Sequence, residues 1–173
     1  VKYATTFSDV SELTTSNIFV IPRTCTRNNV LKDLQFQILH RYIPTNHLLY
    51  KMNKISSMAC TFCNLHNETI IHLFYDCTFV KSLWMFVEKI IERIGLELKI
   101  ECKNVIFGFG FETNTHHKYN DVNNLILHVK GYIWNSRRYN EEVSVGSFVR
   151  WFCVQKLYDV RLEKFYDFMI LGE

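Results

Sequence analysis

Residues 60–77 of this 173-residue chain read CTFCNLHNETIIHLFYDC and hold half of its six cysteines. Within this window Cys60, Cys63, His72 and Cys77 follow the pattern C-x2-C-x8-H-x4-C. Two cysteines separated by two residues can turn both thiolates toward one ion, and a later histidine and cysteine complete a tetrahedral donor set that suits Zn²⁺. Because protein donors fill all four positions, we expect a structural zinc with no open site for a catalytic water.

The interval between His72 and Cys77 constrains the local fold. Five residues of an ideal α-helix leave the two side chains about 140° apart around the axis, too far for one ion. The helix that carries His72 must therefore end before Cys77. We predict that Thr69 caps this helix and that Thr78 caps the next one.

Other interpretations of the window stay open. His66 lies three residues after Cys63 and could replace His72, although His72 precedes Leu73 and Phe74, which can anchor the segment to a core. A disulfide would require an oxidising compartment. A redox Cys-x-x-Cys would require a strand-to-helix setting that this window lacks.

Apolar spacing elsewhere predicts a mainly α fold organised around a CCHC zinc knuckle, with at most a short strand pair near 96–111, where a buried loop fits equally well. We interpret residues 1–27 as an irregular lead-in with a short strand at 17–21, residues 28–95 as a zinc-binding helical module, and residues 96–173 as a C-terminal helical region packed on it. The predicted helices begin at Asn28, Thr45, Thr78, Tyr119 and Ser147 and end before Pro44, near Met52, before Gly95, near Tyr139 and near Ile170. The apolar residues predicted to face the core are, in the first helix, Leu31, Leu34, Ile38 and Leu39; in the second, Leu48, Leu49 and Met52; in the third, Val80, Leu83, Trp84, Val87, Ile90 and Ile91; and in the last, Phe148, Trp151, Phe152, Leu157 and Phe165. The 14 Phe and 9 Tyr are interpreted as core packing rather than as platforms for nucleic-acid bases.

Charge is distributed unevenly along the chain. The net charge of +3 is too small to identify a nucleic-acid binder, but residues 21–67 hold six basic residues and one acidic residue, a local net charge of +5. Such a segment can attract phosphate or can be a solvated helix face. No apolar run approaches the roughly 20 residues of a membrane span, and the N-terminus lacks a signal-peptide pattern. We expect an intracellular protein and, since the chain begins at Val1, a piece of a longer one.

A second set of motifs surrounds the cysteine window. These motifs are His40-Arg41-x-x-Pro44-Thr45-Asn46, Cys60-x-x-Cys63, Glu68-Thr69-x-x-His72-Leu73-Phe74-x-x-Cys77, Phe79-Val80 and Trp84. Together they resemble the zinc-binding region that follows the polymerase domain in LINE-type non-LTR retrotransposon reverse transcriptases. More loosely, residues 124–137, with Ile133-Trp134-x-x-Arg137, and the closing helix resemble the C-terminal tail of the same polyproteins.

The resemblance implies a helical module that holds template RNA or target DNA, largely through phosphates, while a separate polymerase domain copies. From charge and position alone, we expect Arg41, Lys51 and Lys54 to form a basic face beside the finger. The chain has no Tyr-x-Asp-Asp signature and no carboxylate cluster for two magnesium ions, so we expect no enzymatic activity.

The expected partners are RNA or DNA and the remainder of the parent polyprotein, without a membrane or a small-molecule substrate. The expected location is the nucleus or a cytoplasmic ribonucleoprotein. The alternative is a structural or protein-interaction scaffold in which zinc serves folding only.

Overall fold

The fold is mainly helical, as the sequence predicts. The computed structural model describes residues 12–113, 115–156 and 162–170. Within these ranges the α-helices are α1 (Glu12–Cys25), α2 (Asn29–His40), α3 (Asn46–Lys51), α4 (Thr78–Arg93), α5 (Cys102–Phe107), α6 (Asn120–Tyr139), α7 (Val145–Lys156) and α8 (Glu163–Ile170), with a π turn at His72–Asp76 and a 3₁₀ turn at His116–Tyr119. The described residues contain no strand, and an isolated antiparallel bridge joins Ala59 to Asn67. No helix in the described ranges has the length and apolar character to span a bilayer.

Helix α6 lies at the centre of the packing. It contacts α1, α2 and α7, and every residue from 122 to 130 is buried. A helix that is buried on all sides is an interior element. Gly131 permits the close approach of α2, since a Cβ at this position would lie 2.7 Å from Cδ2 of Leu31.

Several sequence predictions are confirmed. In α2 the predicted apolar residues Leu31, Leu34, Ile38 and Leu39 are buried. In α4 the predicted apolar residues are buried as well, and Gly95 follows its end with a φ of 83°. Helix α3 lies between Thr45 and Met52 as predicted, but its expected apolar stripe is wrong: none of its residues is buried, because the helix lies at the surface.

The interpretation of residues 1–27 as irregular is wrong where the structure describes them, from residue 12 onward. Residues 12–25 form α1, which continues through Pro22. The predicted strand at 17–21 is therefore helical. Its buried residues Ile18, Ile21 and Cys25 recur at helix spacing, and packing on α6 outweighs the weak helix propensity of the Ser/Thr-rich segment.

Of the two alternatives for residues 96–111, the described residues form no strand pair, and the buried-loop alternative is confirmed. Residues 102–107 form α5, and the following residues form a buried loop with positive φ at Gly108 and Gly110. Asn123 of α6 holds this loop by accepting from the Phe109 N–H at 2.7 Å and donating to the Phe109 carbonyl at 3.1 Å. The side chain of Asn123 thus supplies the hydrogen bonds that a neighbouring strand would otherwise provide.

The predicted C-terminal helix corresponds to α7 and α8, while residues 157–161, including Leu157, lie outside the described residues, as do residues 1–11. Phe148, Phe152 and Phe165 are buried, as predicted. They belong to the same core as buried residues of α2 and α4. The division of the chain at residues 28 and 96 stays a prediction.

A buried lysine joins α6 to α2 and α5. Lys130 is 1% exposed, and its Nζ donates to Oε1 of Gln35 and, at 2.8 Å, to the carbonyl of Val105. Gln35 in turn donates to the carbonyl of Ile106 at 2.8 Å. The last carbonyls of a helix lack partners within the helix, so these two side chains complete the C-terminal end of α5. Burial lowers the pKa of Lys130 to about 7.

Lys130 makes folding stability depend on pH. Between about pH 7 and the ordinary lysine pKa, the unfolded chain binds a proton that the folded chain does not, so the free energy of unfolding contributed by this group rises with pH by up to about 1.4 kcal/mol per unit. Below pH 7 both states are protonated and this contribution no longer changes. We expect urea unfolding at pH 6 to 10 to show this slope in the parent chain relative to Lys130→Met. The exposed control Lys118→Met should keep the parent slope, and equal slopes for all three proteins would contradict the prediction.

Candidate metal centre and basic groove

The four predicted ligand residues come together in space. One donor atom from each of Cys60, Cys63, His72 and Cys77 lies within 4.8 Å of every other. Sγ of Cys60 is 4.0 Å from Sγ of Cys77, and Sγ of Cys63 is 3.4 Å from Nε2 of His72. A tetrahedral zinc with ordinary bond lengths sets sulfur atoms about 3.8 Å apart and sulfur and nitrogen about 3.6 Å apart. The group therefore has the composition and size of a tetrahedral metal site.

The first two cysteines lie on a tight loop closed by backbone hydrogen bonds. The Cys60 N–H donates to the His66 carbonyl at 2.8 Å, and the Asn64 N–H donates to the Cys60 carbonyl at 2.9 Å. Asn64 adopts a left-handed conformation with φ of 54°, which asparagine tolerates better than most residues. This loop turns Cys60 and Cys63 to the same side. His66 stays exposed and outside the group, so the structure brings His72 rather than His66 to the three sulfurs.

The second pair of ligand residues depends on the π turn. The Thr69 hydroxyl accepts from the His72 N–H at 3.0 Å, as the predicted cap. The helix then widens, and the Cys77 N–H donates to the His72 carbonyl at 2.9 Å, five residues back. The chain leaves the helical conformation at Cys77, whose φ and ψ are −60° and 133°. The prediction that the helix ends before Cys77 is confirmed.

The predicted cap of α4 is wrong by one residue. Cys77, not Thr78, occupies the N-cap position, and its carbonyl accepts from the N–H groups of Val80 and Lys81, both at 2.9 Å. Cys77 thereby begins α4 and presents its sulfur to the cluster at the same time. The indole of Trp84, one of the motif residues, donates to the Phe74 carbonyl at 2.7 Å and ties α4 back to the π turn.

The surroundings shift the pKa values of the ligand residues in different directions. The hydrogen bond to Cys77 and burial raise the pKa of the Cys60 thiol, while the same hydrogen bond lowers the pKa of Cys77. Burial, followed by the charge of His66, lowers the pKa of His72. A neutral imidazole is the form that coordinates metal. All six cysteines are free thiols, so no disulfide competes for these sulfurs.

A buried ion pair lies beside the cluster, and sequence reasoning missed it. Glu68 is fully buried, and its carboxylate accepts from Arg137 Nε at 3.0 Å, from the Asn46 N–H at 2.9 Å and from the N–H and hydroxyl of Thr61 at 2.8 and 2.6 Å. Arg137 also donates to Oδ1 of Asn46 at 2.9 Å. Since Thr61 lies between the two cysteines of the loop, Glu68 fixes that loop to α3 and to the end of α6.

Three residues of this network, Asn46, Glu68 and Arg137, each belong to one of the sequence motifs that resemble the reverse-transcriptase region. They are far apart in sequence, so the motifs alone do not show that they interact. Arg137 lies at the end of α6, where a favourable interaction with the helix dipole is a sufficient explanation without a structure. Only the fold shows that its guanidinium reaches a carboxylate 69 residues away.

Two of the three predicted basic residues line one groove. The groove has a volume of about 370 Å³. Its lining comprises the bases Arg41, His47 and Lys51, the apolar residues Ile43, Leu48, Ile70 and Ile71, and the hydroxyl residues Thr45 and Thr69. Lys54 is exposed and is not part of this lining. The lining residues 69–71 immediately precede the cluster residue His72.

His47 was not predicted as part of a site, and it adds a polar atom to the groove wall. Its Nδ1 is buried and has no hydrogen-bond partner among the described residues. Burial, followed by the charge of Lys51, lowers the pKa of His47. The groove thus combines the basic side chains Arg41 and Lys51 with an imidazole and apolar residues.

Comparison with known proteins agrees with the geometry of this region. Residues 28–84 match the family described as zinc-binding in reverse transcriptase. The match includes all four cluster residues as well as Arg41 and Lys51. This segment of the chain is therefore similar to a reverse-transcriptase zinc-binding region. Neither the curated proteins nor the solved structures gave a match.

The buried ion pair makes a testable contribution to stability. Glu68→Ala leaves the Arg137 guanidinium largely buried without its carboxylate, and removing one partner of a buried pair costs about 3–5 kcal/mol. We expect urea unfolding to show this loss in Glu68→Ala and in Arg137→Ala, and less than the sum of the two in the double variant. The matched control is Lys103→Ala, which breaks exposed ion pairs with Glu101 and Glu112 and should cost at most about 1 kcal/mol. A Glu68→Ala loss no larger than that of the control would show that the pair is not important for stability.

Proposed function

We propose that this chain is a non-catalytic, zinc-stabilised module of a LINE-type non-LTR reverse transcriptase. In this proposal it holds template RNA or target DNA for a polymerase domain located elsewhere in the parent polyprotein, in the nucleus or in a cytoplasmic ribonucleoprotein. The family match over residues 28–84 and the four-residue cluster support the zinc-binding part. The groove lined by Arg41 and Lys51 beside the cluster is the observation that carries the nucleic-acid part.

The donor set fits Zn²⁺ in composition and in spacing. Cys60, Cys63, His72 and Cys77 would hold the ion. The distance between the sulfurs of Cys60 and Cys77 and that between Cys63 Sγ and His72 Nε2 are close to tetrahedral values. Four protein donors leave no position for a catalytic water, so the bound ion supplies a cross-link rather than a reaction centre. The cross-link would join the 60–63 loop to the start of α4.

The groove fits a phosphate backbone better than it fits a small molecule of defined shape. Arg41 and Lys51 line it together with apolar residues, and residues 21–67 carry few negative charges that would oppose a polyanion. Contacts of this kind position a nucleic acid through its phosphates without reading its sequence. Lys54 would extend the same face from the exposed side.

A strained turn places Arg41 at the groove. Arg41 follows the last residue of α2 with φ of 59° and ψ of 34°, a left-handed conformation usually taken by glycine. Its N–H and that of Tyr42 donate to the Ile38 and Gln37 carbonyls at 3.1 and 2.8 Å, and so complete the helix end. Glycine is the residue that this backbone conformation favours, and the arginine at this position places a guanidinium in the groove lining.

Zinc binding is tested by removing one ligand residue. We expect Cys60→Ser to lower the zinc content of the purified chain below one equivalent and to lower its thermal unfolding temperature, because binding of a structural zinc is coupled to folding. Zinc is measured by atomic emission and unfolding by circular dichroism. Cys153→Ser, outside the cluster, is the control and should retain full zinc content. Unchanged zinc content in Cys60→Ser would show that the ligand assignment is wrong.

Nucleic-acid binding is tested by salt dependence. We expect the zinc-loaded chain to bind a fluorescent single-stranded RNA with an affinity that falls steeply as salt rises. Replacing a phosphate-binding residue should reduce the slope of log K against log salt by about one, so Lys51→Ala should flatten it. Lys118→Ala is the control and should leave the slope unchanged. No binding at low salt would favour the scaffold alternative, in which zinc serves folding only.

Arg41→Gly separates a binding role from a folding role. Glycine relieves the left-handed strain, so we expect the free energy of unfolding to stay the same or rise by up to about 1 kcal/mol. We expect RNA affinity to fall in the same variant. A variant that is as stable as the parent and binds RNA equally well would remove Arg41 from the proposed interface.

A further inference from the structure

Three rings form an exposed aromatic cluster next to Arg41. The His40 imidazole lies 4.1 Å from the Phe36 ring and 5.9 Å from the Tyr42 ring, measured between centroids, and the His40 and Tyr42 planes are within 24° of parallel. Phe36 is 51% exposed and Tyr42 is 68% exposed. We call Phe36, His40 and Tyr42 the ring platform. Its exposure departs from the expectation that the aromatic residues of this chain serve core packing.

The platform follows from the pattern of α2 and its end. The buried stripe of α2 contains Leu34 and Ile38, whereas Phe36 and His40 are four residues apart on the opposite, exposed side. The left-handed turn at Arg41 then returns the chain toward the helix, which places Tyr42 beside His40. Phe19 of α1 supports the imidazole from its partly buried position, at 5.3 Å.

The surrounding charge favours one kind of occupant. Arg41 lies between two platform residues in sequence and also lines the groove, so the platform adjoins the groove along the chain. Residues 21–67 contain six basic residues and only Asp33 as an acid. Exposed rings beside a basic groove are the combination by which proteins hold single strands, because every base offers a π-face and the cations follow the phosphates. A duplex keeps its bases stacked inside the double helix, so it has no unpaired base that could stack on the rings.

We infer that the ring platform stacks unpaired bases of a single-stranded nucleic acid whose phosphates lie on Arg41 and Lys51. This inference rests on the proposed function and specifies its ligand: a single strand rather than a duplex, held by base stacking as well as by charge. Tyr42, as the most exposed of the three rings, is the residue that meets a base most directly.

The test compares three fluorescent probes of equal length at one salt concentration. They are a mixed-sequence single-stranded RNA, an abasic strand that retains the phosphates, and a duplex. With the zinc-loaded full chain, we expect the single strand to bind about tenfold more tightly than the abasic strand. Tyr42→Ala should remove this difference by weakening only the base-containing strand, and Tyr42→Phe should preserve it. Tyr139→Ala replaces a tyrosine that is 62% exposed on another helix and should behave like the parent.

The outcomes separate this inference from the proposed function. Binding of the single and abasic strands with equal affinity, or preference for the duplex, overturns the ring platform and leaves a phosphate-binding role intact. Loss of binding to all three probes in Arg41→Gly, with a base-dependent difference in the parent, supports both. If no probe binds the parent chain, the proposed function fails together with the inference. The control is the zinc content and circular dichroism of Tyr42→Ala. Because Tyr42 is mainly exposed, we expect both to match the parent, so that a loss of affinity is not a loss of folding.

Discussion

The short interval between His72 and Cys77 is the constraint on which the arrangement of the metal centre depends. Both side chains must reach the same point as the 60–63 loop, and a regular helix cannot bring residues five apart to one side. The π turn and the extended backbone at Cys77 solve this problem, and α4 begins at the next residue. The direction of α4, and with it the packing of Leu83 and Val87 into the core, is therefore set by the geometry of four donor atoms.

A second constraint joins this small region to the larger helical core. The 60–63 loop adds only Cys60 and the partly buried Phe62 and Cys63 to the apolar core. Glu68 compensates by fixing Thr61 on one side and Asn46 and Arg137 on the other, across three separate segments. A fully buried carboxylate is costly unless all its lone pairs are used, and here it accepts four hydrogen bonds. Such a network tolerates few alternative arrangements, which favours one orientation of the loop relative to α6.

Local signals in the sequence predict the parts of the fold that are determined locally. The four cluster residues, the buried stripe of α2 and the extents of α4 and α6 follow from spacing, because helix period and ligand geometry act over a few residues. Helix α1 and helix α5 could not be found this way, since α1 packs on the distant helix α6 and the end of α5 is held by Lys130 of α6. The Glu68–Arg137 ion pair joins residues 69 positions apart, so it could not be predicted from local spacing either, although both residues belong to motifs in the sequence. The exposed rings were missed for the opposite reason: aromatic residues are usually buried, and only the placement of Phe36 on the outer side of α2 shows otherwise.

Residues 28–84 contain two regions with unusual local conformations, one around the cluster and one at the end of α2. Around the cluster, unusual features such as the π turn and the left-handed Asn64 all serve to close the metal loop, and each has a hydrogen-bonding reason. At the end of α2 the left-handed turn at Arg41 also has such a reason, because the N–H groups of Arg41 and Tyr42 complete the helix end. A left-handed arginine costs about 1–2 kcal/mol relative to a relaxed conformation, and exposed rings at Phe36 and Tyr42 forgo the stabilisation that burial would give. Because of these two costs, the surface formed by residues 36–42 and Lys51 is where a binding role best accounts for the sequence. The cluster fixes the neighbouring loop and the start of α4.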